Sequence, residues 1–167
     1  MSPVFLWSWP VRVIHWGLAL SIFIDHFVIA GGDEPHQWIG YLALVFLLLR
    51  IVYFFLRPDF VKNFPVSWIQ LKGFLNSLRT RRMIDYAGHN PLAALVYLLM
   101  WFLVLVLATT GWMMSWERYW GEEWLENLHH QTSNALILLV VIHLLGILHD
   151  AVHFRRPTWM GMIHGKR

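Results

Sequence analysis

Four times along this chain, about twenty residues pass with few or no charges, at 11–30, 36–56, 92–114 and about 128–152. A helix of about 20 apolar residues spans a bilayer core. Lipid leaves no partner for an unpaired backbone group, so such runs fold as helices. The expected fold is all-α, an integral membrane four-helix bundle forming a single domain over residues 1–167. Composition agrees: 14% of the 167 residues are charged and 57% are hydrophobic, against about 25% charged in soluble domains. No cleavage-site pattern accompanies "MSPVFLWSWPVR", so the first run is read as a retained helix rather than a signal peptide.

The net charge of +3 gains meaning once the charges are placed. Arg12 precedes the first run; Arg57, Lys62, Lys72, Arg79, Arg81 and Arg82 follow the second; Arg155, Arg156, Lys166 and Arg167 follow the fourth. If the helices alternate, all of these share one side. The other side has Arg118 among Asp33, Glu34, Glu117, Glu122, Glu123 and Glu126. Lysine and arginine collect on the cytoplasmic side, so both termini are expected in the cytoplasm of a multi-pass protein of a bacterial inner membrane. Trp116, Trp120 and Trp124 read as an interfacial belt on the acidic side.

Between the second and third runs, "WIQLKGFLNSLRTRR" sets Trp68, Leu71, Leu75 and Leu78 at helical spacing among basic residues. That pattern predicts an amphipathic helix lying on the inner leaflet. Asn90 and Pro91 then form a helix-start signal for the third run.

The chain has no cysteine, which excludes thiolate-held iron–sulfur clusters and covalent c-type haem. Nothing points to a nucleic-acid partner. Histidine is abundant instead. "HHQTSNALILLVVIHLLGILHDAVH" carries five histidines in an apolar helix, a setting that is costly unless their ring nitrogens are occupied. His129 and His143 are fourteen residues apart. They therefore fall within about 40° of one another on the helix, roughly 21 Å apart along it. His130 lies about 140° from His143. Alternating helices set His15 near the level of His143 and His36 near that of His129. Two stacked pairs, each drawn from two helices, suit the two faces of a flat macrocycle, and haem is held through axial side chains of which histidine is one. Gly40, one turn after His36, would let a flat ring approach. Arg50, on nearly the same face as His36, needs a partner within the membrane, and a haem propionate would supply one. His26, close to the face of His15, is the rival ligand at the outer level. His26, His130, His149, His153 and His164 otherwise read as helix–helix hydrogen-bonding or interfacial groups. A zinc or copper site would want its ligands around one point, whereas these occupy two depths.

The motifs resemble those of the prokaryotic cytochrome b561 superfamily, which includes the b-type cytochrome subunits of nickel–iron hydrogenases. "RVIHW", "HQWIGYLALVFLLLRIVY", "FVKNFP", "YAGHNPLAAL" and "LHHQTSNALILLVVIHLLG" carry the likeness; Ala93 departs from it, where relatives often have glycine. The resemblance implies two b haems, one on His15 and His143 toward the cytoplasm and one on His36 and His129 toward the periplasm. It further implies electron transfer between a quinone, ubiquinone or menaquinone, and a redox partner. A periplasmic cytochrome c or a hydrogenase-type or dehydrogenase complex could dock on the acidic side. His89, His149 and His153 are the candidate quinone contacts, no residue is expected to be catalytic, and a homodimer is compatible. Two other functions stand beside this: a free-standing quinone-linked superoxide oxidase, which would want a basic funnel that the acidic side lacks, and a haem-free membrane scaffold or metal-binding protein.

Overall fold

A computed structural model describes residues 7–56, 67–80, 90–155, 157 and 159–165. Arg57, Lys62, Arg81, Arg82, His89, Arg156, Lys166 and Arg167 lie outside these residues. The described chain is helical, with no strand among the described residues. In order it forms α1 (Trp9–Phe27), α2 (Glu34–Phe55), α3 (Trp68–Arg79), α4 (Pro91–Met114), a short 3-10 turn (Glu117–Tyr119), α5 (Glu123–His153) and α6 (Met160–His164).

Local sequence sets the starts. Proline occupies the first turn of α1, α2 and α4, where its missing N–H costs nothing. Asn90 caps α4, its side-chain oxygen accepting from the Ala93 N–H at 2.8 Å. Gly32, at φ +89°, turns the chain back from α1 into α2, a conformation that glycine adopts without a Cβ clash. The fourth run begins at Glu123 rather than near Leu128, so its N-terminal turns carry acidic residues ahead of the apolar stretch, where they favour the helix dipole.

The helices α2, α4 and α5 are each long and apolar enough to cross a membrane. α1, with 19 residues that include Arg12 and Asp25, is not among the helices that meet that measure. It pairs closely with α2: a Cβ on Gly17 would overlap the Phe46 ring, so a glycine is what lets the two helices approach. α4 pairs in the same way with α5, and α2 meets α4. Leu47 and Phe54 of α2, Trp101 and Val104 of α4, and Leu136 of α5 form the buried centre. Leu48, Val52, Leu138, Leu144 and Leu145 face outward, as side chains do when lipid is the solvent.

α3 forms where the amphipathic helix is expected. Its buried residues are Phe74 and Ser77, while Trp68, Ile69 and Leu75 are exposed. The helix lies against α4 and keeps an apolar face outward, with the Lys72 ammonium 5.1 Å from the Trp68 ring centre. At the far end of the chain, α6 folds back onto the start of α1. Arg12 donates to the Ile163 carbonyl at 2.6 Å and the Trp16 indole donates to the Met162 carbonyl at 3.0 Å.

Candidate functional site

At one end of the helices, α2 and α5 bring two histidines together. The rings of His36 and His129 lie 6.1 Å apart between centres, at 74° to one another. Each ring has its Nδ1 engaged. Nδ1 of His36 sits 2.9 Å from Oδ1 of Asp25 on α1, a close ion-pair contact without hydrogen-bond geometry. Nδ1 of His129 sits 2.8 Å from the Thr110 hydroxyl on α4. Thr110 has one proton, and the Val106 carbonyl lies 2.8 Å from the same oxygen. A hydroxyl that gives its proton to a carbonyl can only accept from a ring, so Nδ1 of His129 is the donor. The His129 ring is therefore left with an Nε2 lone pair. Ligating histidines are ordinarily fixed through the other ring nitrogen in this way.

The spacing of this pair can be compared with what a shared metal requires. Two bonds of about 2 Å to histidine nitrogens, plus about 1 Å from each nitrogen to its ring centre, span roughly 6 Å. The observed separation of 6.1 Å is of that size. Open space surrounds the position where a Cβ would stand on Gly40, one turn along α2. On the other side, a Cβ on Gly111 would touch the His129 ring at 3.5 Å, so α4 approaches this histidine closely.

The other end has a different character. His15 on α1 and His143 on α5 are both partly buried, with the Arg50 guanidinium near His15. The Trp16 ring stands edge-on to His15 at 5.6 Å. Arg50 is 4% exposed. Its guanidinium lies 5.5 Å from the ring centre of Tyr97 and 5.9 Å from that of Trp101, two aromatic faces that attract a cation.

The remaining histidines stand elsewhere. His26 engages Ser133 on α5 through Nδ1 at 3.0 Å, and His130 engages Asn134 one turn along its own helix at 3.0 Å; both rings are exposed. His149 and His153 stack nearly parallel, 6.0 Å apart, exposed at the end of α5. His164 is exposed on α6. Among the described residues, no three of His, Cys, Asp or Glu gather into a metal-holding group, which disfavours the clustered zinc or copper arrangement. Asp25 and Thr110 were not singled out in the sequence. An aspartate within an apolar run was the available signal for the first; nothing local marks the second.

A sequence profile of the prokaryotic cytochrome b561 family matches residues 6–165. The chain belongs to that family. It is 24% identical over 212 residues to a probable Ni/Fe-hydrogenase B-type cytochrome subunit of Rhizobium leguminosarum bv. viciae, covering 98% of this chain and 88% of that protein. A protein of the same description from Bradyrhizobium diazoefficiens is 24% identical over 211 residues, covering 98% and 85%. No solved structure matches the chain. As a member of the cytochrome b561 family, the chain is a membrane b-type cytochrome of electron transfer. Histidine nitrogens from separate helices, with Nδ1 atoms occupied, fit the haem b that this family implies.

Proposed function

We propose that this cytochrome carries electrons across a bacterial inner membrane between the quinone pool and a redox partner on the periplasmic side. In this reading α1, α2, α4 and α5 cross the membrane as a four-helix bundle, and both termini are cytoplasmic. His36 and His129 would hold one haem b toward the periplasm, and His15 and His143 a second toward the cytoplasm. The observation that carries the reading is the His36–His129 pair, 6.1 Å apart on different helices with both Nδ1 atoms engaged. Haem b bound by two histidines has no open coordination position and supplies one-electron transfer.

The chain's own residues have three tasks. Asp25 and Thr110 orient the two rings at one end. Arg50, buried beside Tyr97 and Trp101, offers a guanidinium to a propionate at the other. The acidic residues between α4 and α5, with Trp116, Trp120 and Trp124 exposed among them, offer a docking face to a basic partner. The hydrogenase-subunit names of the two relatives favour a hydrogenase-type complex for that role. For quinone, the His15 end has two apolar grooves. One of about 440 Å³ is lined by Trp9, Arg12, Trp16 and Phe46, and one of about 280 Å³ by Leu148, Val152, Arg155 and Trp159. The second lies along α5 beside His149 and His153.

Purification in detergent followed by a dithionite-reduced spectrum and a pyridine haemochrome assay tests this. Low-spin b-type bands and about two haems per chain are expected. A folded but colourless protein would refute the proposal.

A further inference from the structure

The two histidine pairs do not share the same charge environment. At the His36 end the contact is a carboxylate: Oδ1 of Asp25 lies 2.9 Å from Nδ1 of His36, and the two side chains are 22% and 24% exposed. Thr110, the group on His129, is neutral. At the other end the fixed charge that reaches His15 is the Arg50 guanidinium, which is buried. Low local dielectric strengthens both effects relative to water.

A carboxylate drawing on the Nδ1 proton makes an imidazole a stronger donor through Nε2. A stronger donor, with a negative charge nearby, favours the more cationic, oxidised iron. A buried guanidinium favours the reduced state. We propose that Asp25 is a positioning residue for electron transfer: with its carboxylate 2.9 Å from Nδ1 of His36, it makes the His36–His129 site the lower in potential of the two. Arg50 widens the gap by acting on the opposite site. An electron entering beside the acidic face then runs downhill along the chain of histidines toward the Arg50 end. This inference rests on the reading that each pair holds one haem.

The test is an optical redox titration of the purified, haem-loaded cytochrome, with low-temperature electron paramagnetic resonance on the same samples. In the unmodified protein two midpoints are expected, and the lower should be the one absent from His36→Ala. Asp25→Asn keeps an oxygen that can accept a hydrogen bond but removes the charge. It should raise the lower midpoint, shift the resonance of that haem alone, and leave the higher midpoint in place. Asp25→Glu should restore most of the original separation, which a purely structural tie between α1 and α2 would not require. Unmoved midpoints in Asp25→Asn, or equal movement of both, would overturn the inference. So would a wild-type titration in which His36→Ala removes the higher-potential haem, and that comparison decides the matter even where Asp25→Asn fails to retain haem. A protein that binds no haem would refute the function itself, whereas two haems with unmoved midpoints would defeat only the role of Asp25.

Discussion

The two histidine-bearing ends of this cytochrome are built from different materials. At the His36 end, two rings are fixed by small polar groups, a carboxylate on α1 and a hydroxyl on α4. At the His15 end, indole and phenol rings dominate: Trp16 stands edge-on to His15, and Tyr97 and Trp101 lie under a buried Arg50. Polar contacts set which nitrogen carries a proton, because each has a direction. Aromatic burial sets how strongly a charge is felt, because it excludes water. One end is therefore specified by geometry and the other by dielectric.

Substitutions at the two ends should separate these effects. The largest change is loss of a ligand. Under the two-haem reading, His129→Ala and His143→Ala should each remove about half of the haem, and the doubly substituted protein nearly all of it, by pyridine haemochrome assay. Loss of both haems from either single change would mean that the ends are not independent. Next comes Gly17→Leu, because side-chain atoms at that position would overlap the Phe46 ring. Overpacking costs about 1–3 kcal/mol, so the midpoint of thermal unfolding in detergent should fall. The haem lost first on heating should be the one that depends on His15, two residues away.

Smaller effects discriminate more finely. Arg50→Gln should lower the midpoint of the His15-dependent haem by on the order of 1 kcal/mol in reduction free energy, and leave the His36-dependent haem nearly unchanged. Movement of the His36-dependent haem instead would reverse the assignment of Arg50 to the aromatic end. Thr110→Val removes the acceptor for Nδ1 of His129 while keeping its shape, and Thr110→Ser keeps the hydroxyl. The valine protein should show an altered electron paramagnetic resonance signal for one haem, and the serine protein should not. The least effect belongs to Ser133→Ala. It breaks the contact with His26, at a cost near the ~0.6 kcal/mol average for hydrogen bonds between membrane helices, and both haems should remain.

Much of this arrangement was legible in the sequence because helical periodicity is rigid. Fourteen residues between His129 and His143 fix both an angle and a height, and the alternation of helices then sets His36 level with His129. The structure brings those two rings together and turns His130 toward Asn134 instead. What escaped the sequence was whatever depends on a third element. Asp25 reaches His36 only because the turn at Gly32 folds α2 back along α1. Thr110 reaches His129 only through the pairing of α4 with α5, and a threonine in an apolar helix normally just bonds back to its own preceding turn. The burial pattern of α3 depends on a third element too. Periodicity identified an apolar face, but packing on α4 selected Phe74 and Ser77 as the buried residues and left Trp68 and Leu75 outside.

The closeness of Gly17 to Phe46 has a further consequence, for biosynthesis. α1 precedes α2 in the chain, yet it is not among the helices long and apolar enough to cross a membrane, as α2, α4 and α5 are. Its Asp25 is costly in hydrocarbon until His36 arrives. The Gly17 surface is a poor fit to lipid but a good one to the Phe46 ring. If α1 crosses the membrane, the unit expected to enter it is the hairpin of α1 and α2, closed by the turn at Gly32, rather than α1 alone.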